Sequence, residues 1–147
     1  GVQLLLDSSE SMLPFHQDLQ VLEGNLRRIA GSSRFWSRRF KGAPLLPPRY
    51  GKERYPPKII NNVPILLVTD FGIGAPLLSR DRVGSGEWLA FAKLAARKNS
   101  PVVALIPHKE RYWPDFARSN YLCIPWDRRT TAGDLRKVIG LGHRLQG

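Results

Sequence analysis

The sequence predicts an α/β fold: a doubly wound, mostly parallel central sheet flanked by helices, Rossmann-like in layout and shortened in the middle. Three observations carry this. The chain opens on a short apolar run from Val2, VQLLL, that passes straight into Asp7, Ser9 and Ser11. Leu-rich runs of this length suit a central strand buried on both faces. Between residues 63 and 106 an apolar strand, an amphipathic helix and a second apolar strand follow one another, which favours parallel pairing through a right-handed crossover. Finally, two of the apolar runs end in an acid, Asp7 and Asp70. An unpaired carboxylate in an apolar interior is costly, so the chain must leave the sheet there, at the strand carboxyl ends where open α/β sheets place ligands.

The elements then follow in order. Leu13 to Ala30 reads as the first helix, with Phe15, Leu19, Leu22, Leu26 and Ile29 at spacings of three and four, Pro14 near its start and Gly31 as its stop. Arg34 to Phe40, RFWSRRF, reads as a short strand with interleaved arginines. From Gly42 to Pro64 six prolines preclude a regular helix across the stretch. Val63 to Thr69 is the next central strand. Gly72 and Gly74 let the chain turn sharply after Asp70. Ser85 is a candidate cap for a helix over Glu87 to Lys98, whose inward face holds Trp88, Phe91, Ala92 and Ala95. Pro101 to Ile106 is a β-branched strand, Glu110 to Ser119 a short helix, Tyr121 to Pro125 a further strand. A last helix starts near Thr131 and reaches Gly140. The expectation is one domain over residues 1–140 and a flexible tail over 141–147.

Composition narrows the class. The chain has 147 residues, enough for a sizeable core. Its single cysteine, Cys123, excludes an internal disulfide and sits in the apolar run YLCI as a small core residue. No run approaches a membrane span, and no targeting segment is visible, so a cytoplasmic protein with no membrane partner is expected. Gly1 lies almost directly before a strand, as in a piece of a larger protein. The formal charge of +11 favours acidic partners.

Asp7, Ser9 and Ser11 can turn three oxygens inward from one tight loop. Carboxylate and hydroxyl oxygens are hard ligands suited to Mg²⁺ or Mn²⁺. Asp70 can join them directly or through a water, and the open positions on the ion would be left to water or a partner's carboxylate. The alternative is that Ser9 or Ser11 merely caps the next helix.

The motif Asp7-x-Ser9-x-Ser11-Met12 after an apolar strand resembles the first metal-site motif of von Willebrand factor A domains. Asp70, after Ile65–Thr69, matches the acid that ends a later strand in that family. The likeness spans roughly residues 2 to 127, and its later part resembles the A-like domains of large actinobacterial multidomain proteins. It implies a doubly wound sheet, a divalent-metal-dependent adhesion site made by Asp7, Ser9, Ser11 and Asp70, and binding rather than catalysis. The family also supplies a threonine from a loop between the two acidic strand ends. Between Phe40 and Asn62 there is none; Ser32 and Ser33 are the nearest substitutes. A metal-free domain that keeps this fold as a scaffold in a larger protein is therefore the competing expectation.

Residues 24 to 64 hold ten basic residues against one acid, Glu53. Arg34, Arg38, Arg39, Arg49, Lys52 and Arg54 are candidate partner-binding residues that would steer an acidic protein partner, or another domain of the same parent chain, toward the site. With Phe35, Trp36, Phe40, Tyr50 and Tyr55 among them, the same stretch could grip phosphates and stack bases of a nucleic acid. A phosphoryl-transfer enzyme using Asp7 as nucleophile and Mg²⁺ on Asp70 is the remaining alternative. Haloacid-type phosphatases need a second aspartate two residues on, where this chain has Ser9.

Overall fold

The computed structural model describes residues 1–46, 58–76, 78, 83–127 and 132–146. Five strands form one all-parallel sheet: β1 (Val2–Asp7), β2 (Phe35–Phe40), β3 (Ile65–Val68), β4 (Val102–Ile106) and β5 (Leu122–Pro125), in the spatial order β2-β1-β3-β4-β5. The helices are α1 (His16–Ala30), α2 (Ser85–Arg97), α3 (Asp115–Asn120) and α4 (Ala132–Leu145), with 3-10 turns at Glu10–Phe15, Ser32–Arg34 and Glu110–Tyr112.

The winding follows from the order. From β1 the chain crosses through α1 to β2 on one side. From β3 it steps the other way through α2 to β4 and α3 to β5. Crossovers of one hand that travel in opposite directions put their helices on opposite faces. Strand alternation supplies the two apolar surfaces. Leu4, Leu6, Leu66, Val68, Val103 and Leu105 pack with Leu19, Leu22 and Leu26 of α1 and Leu135 of α4. Leu5, Ile65, Leu67, Ala104 and Ile106 pack with Trp88, Phe91 and Ala95 of α2 and Ala117 of α3. All six residues of β1 are buried because it is covered on both faces and paired on both edges.

Two buried residues of β1 are polar, Gln3 and Asp7. Gln3 donates from Nε2 to the carbonyls of Ile60 (3.0 Å) and Val63 (2.9 Å) and accepts from the Ile60 amide (3.0 Å). It supplies the groups that the irregular segment before β3 lacks, because that segment has no ladder of its own. The Ser100 hydroxyl also donates to the Ile60 carbonyl (2.7 Å).

Several boundaries differ from expectation. The turn at Pro14 is 3-10, and the α-helix begins only at His16. Gly84, not Ser85, stands at the cap position of α2. The segment after β4 divides into a 3-10 turn and α3, with Pro114 at the α3 cap. The last helix does not stop at Gly140 but runs to Leu145. Gly142 explains this: a Cβ there would stand 3.0 Å from Pro64 Cβ, so the missing side chain lets α4 press on the start of β3. Among the described residues no helix is long and apolar enough to cross a membrane.

Replacing Gln3 by Ala should leave the Val63 carbonyl and Ile60 amide unpaired. A loss of about 2–3 kcal/mol is expected, read as a lower urea midpoint. A midpoint unchanged within error would show that the Gln3 bonds contribute nothing net.

Candidate functional site

The strand order reverses its direction of growth between β1 and β3, and it is at such a reversal, at the carboxyl ends of the strands, that open α/β sheets form a crevice for ligands. Asp7 is the last residue of β1, and Asp70 lies just past β3. Leu6 pairs in register with Val68, which brings the two acidic ends side by side.

Both carboxylates are inside the protein: Asp7 is 2% exposed and Asp70 is fully buried. Neither makes an ion pair among the described residues. Hydrogen bonds hold them instead. Asp7 Oδ1 accepts from the Ser9 amide (2.9 Å), and Oδ2 accepts from the Thr69 hydroxyl (2.6 Å). Asp70 accepts from the Gly72 amide at Oδ1 (2.8 Å) and from the Gly74 amide at Oδ2 (3.1 Å). Gly72 has φ of +81°, a conformation that glycine adopts freely. Phe71 before it also lies in the left-handed region at +52°. It is held there by the hydrogen bond that its backbone N–H donates to Thr69 Oγ1 (3.0 Å) and by its ring against Trp88, centroids 4.6 Å apart.

The serines behave differently from caps. Ser9 makes no side-chain capping bond to the turn that follows. Its hydroxyl accepts from the Gly42 amide (2.9 Å), which ties the β1 loop to the chain leaving β2. Ser11 has a buried hydroxyl with no hydrogen-bond partner. Ser11 and Asp70 both approach Gly74 closely: a Cβ there would stand 3.4 Å from Ser11 Cβ and 3.1 Å from Asp70 Oδ2. Asp7, Ser9, Ser11 and Asp70 are thus gathered at the carboxyl ends of β1 and β3.

Thr69 is the member that sequence reasoning missed. The expected threonine lies in a loop between the two acidic strand ends, whereas this hydroxyl comes from the residue next to Asp70. Strand alternation was the available signal: Leu5 and Asp7 share a face, as do Leu67 and Thr69, and parallel register sets the pairs side by side. Ser32 and Ser33 are exposed in the turn before β2, at the amino end of the strand and away from the crevice.

The basic residues are spread out. Arg34 is exposed at the amino end of β2, roughly 20 Å of extended chain from Phe40 beside Asp7. Arg38 and Arg39 are exposed on β2 itself; Arg39 pairs with Glu23 of α1 at 3.2 Å, and Arg38 donates to the Ser37 carbonyl (2.9 Å). Arg49, Lys52 and Arg54 lie outside the described residues, as do Tyr50 and Tyr55. Phe35 and Phe40 are buried in the two cores and cannot stack on bases.

Burial is the largest influence on Asp7 and raises its pKa from 3.8 to about 6. The bonds from Ser9 and Thr69 act in the opposite direction, and the charge of Asp70 adds to the rise. A buried acid with both oxygens engaged is poorly placed to attack a phosphoryl group.

The proton is bound more tightly in the folded chain than in the unfolded one. Asp7 therefore favours folding most below pH 3.8, and this contribution is lost as pH rises through about 6. The change is on the order of 3 kcal/mol. Urea denaturation between pH 4 and 8 should show it as a falling stability difference between the wild type and Asp7→Asn. Parallel pH curves for the two proteins would refute this. Thr69→Val should raise the Asp7 pKa further, measured by carboxyl ¹³C NMR, because it deletes a bond to the charged form; an unchanged titration would refute that.

Set against known protein families, characterised proteins and solved structures, the chain matches none. The functional reading therefore rests on the geometry of this crevice.

Proposed function

We propose that the chain is a protein-interaction module whose crevice at β1 and β3 holds a divalent cation, Mg²⁺ or Mn²⁺, and through it takes an acidic group of a partner. The observation that carries this reading is the Ser11 hydroxyl, buried without a partner beside two buried carboxylates that have no ion pair among the described residues. Buried polar groups are ordinarily paired, and buried carboxylates ordinarily have a countercharge. One hard cation would satisfy both needs.

The donor set fits such an ion. Ser9 and Ser11 offer hydroxyl oxygens, and Asp7 and Asp70 offer carboxylates with acceptor capacity beyond their present hydrogen bonds. Asp70, with both oxygens bonded by backbone amides, would act through water. Two hydroxyls and two carboxylates leave coordination positions for a partner's carboxylate. The ion supplies that electrostatic link; the chain's own residues position it. Arg38 and Arg39 on β2 would steer an acidic partner by charge. The same donor set underlies the resemblance to von Willebrand factor A domains, with Thr69 as the hydroxyl beside Asp7.

A second reading has its own observation. Every oxygen of Asp7 and Asp70 already accepts a hydrogen bond within the chain. A metal-free scaffold, with these acids serving to knot the loops, would need nothing further from them.

Calorimetric titration of the chain with Mn²⁺ and Mg²⁺ separates the two. The metal reading expects saturable binding that Asp7→Ala abolishes and that Ser11→Ala weakens. Gly74→Ala should also weaken it, because its Cβ crowds the space between Ser11 and Asp70. At 100 times its Kd the metal should add about 2.7 kcal/mol to stability and reduce the loss of stability on raising pH. No heat and no stabilisation at millimolar metal would leave the scaffold reading.

A further inference from the structure

The outer edge of β2 carries main-chain groups with nothing to pair with. Parallel register sets Leu5 beside Arg38 and Asp7 beside Phe40. The Phe40 carbonyl accepts from the Ser8 amide (2.8 Å), so Phe40 turns its main-chain groups toward β1. Main-chain groups of successive strand residues point to alternate edges. Trp36 and Arg38 therefore also face β1, and Ser37 and Arg39 turn their N–H and C=O to the open side. Gln3 agrees in phase: it lies beside Trp36, and its own amide bonds on the opposite side, to the Pro64 carbonyl (3.0 Å). Among the described residues no main-chain group meets the outward ones of Ser37 and Arg39.

The side chains of β2 set the charge of that edge. Arg39 is held to Glu23 of α1 (3.2 Å), and Phe35 packs in the core on the α1 side. By alternation Trp36 and Arg38 stand on the other face. Trp36 is half-buried there, and Arg38 is exposed. Arg38 makes no ion pair among the described residues. Its Nη1 donates instead to the Ser37 carbonyl (2.9 Å), one of the outward acceptors.

We propose that the outer edge of β2 takes an extended, acidic segment of a partner polypeptide as an added strand. The main chain of that segment would bond the outward groups of Ser37 and Arg39, which supplies the affinity. One of its N–H groups would replace Arg38 Nη1 at the Ser37 carbonyl. The guanidinium is then released to a carboxylate on the neighbouring residue of the segment, a cross-strand pair of opposite charge. The formal charge of +11 favours the same guest. This edge shares no residue with Asp7, Ser9, Ser11 and Asp70, and the added strand needs no cation.

The test uses the whole chain, ¹⁵N-labelled. The probe is a blocked six-residue peptide, the length of β2, that alternates glutamate with threonine. The Ser37 and Arg39 amide signals should shift saturably at millimolar peptide, and their exchange with solvent should slow. The same peptide N-methylated throughout keeps its charge but has no N–H to offer, and it should not bind. A peptide with glutamine for glutamate should bind about threefold more weakly, as should the original peptide to Arg38→Gln. Ser37→Pro removes an outward N–H and leaves the β1 ladder intact, so it should abolish the response at Arg39. Should Ser37→Pro fail to fold, the methylated peptide decides the same point. Equal binding of the methylated peptide, or no slowing of exchange at Ser37 and Arg39, overturns the added strand. Unchanged affinity with the glutamine peptide or with Arg38→Gln overturns the acidic guest. Shifts of the same amides with rising concentration of the chain alone would make the occupant a second copy and also overturn the proposal. Neither Asp7→Ala nor removal of divalent metal should alter the response, so this test and that of the metal site fail separately.

Discussion

The crevice depends on keeping two negative charges inside a protein that gives them no basic partner among the described residues. Desolvation alone would expel or neutralise them. They stay because each carboxylate receives directed donors: Ser9 and Thr69 for Asp7, Gly72 and Gly74 for Asp70. The raised pKa of Asp7 shows that these donors offset burial only in part. The bond between Thr69 and Asp7 joins the ends of β1 and β3, where the sheet gives way to loops. A cation would complete the compensation that the backbone begins.

The topology makes such an arrangement available without special devices. A parallel sheet wound in two directions must part its loops somewhere, and here that place is between its two most buried strands. The donors come from loops that the fold already anchors. Gly42 follows β2 and binds Ser9, so β2, β1 and β3 all contribute to one cluster.

Much of this layout was legible in the amino-acid order. The periodicity of Leu19, Leu22 and Leu26 gave α1 its inward face, and the apolar runs ending at Asp7 and Asp70 marked the strand ends. What escaped were contacts between residues distant in sequence. Nothing beside Gln3 in the apolar run VQLLL marks its role, because its partners lie 57 and 60 positions away. Thr69 read as a strand residue because its partner lies 62 positions away. Gly140 looked like a helix stop because glycine usually is one, whereas close packing of Gly142 on Pro64 carries α4 through it. Local propensity gives way wherever a tertiary contact is worth more.

The arginines of β2 have a consequence apart from any partner. Among the described residues β2 is hydrogen-bonded on one side only, to β1. An open strand of this kind is a template on which another chain can add itself. Successive side chains of a strand project to opposite faces, so Arg38 and Arg39 guard both. Two copies meeting rim to rim would crowd four guanidinium groups together, a repulsion that opposes fibrous self-association.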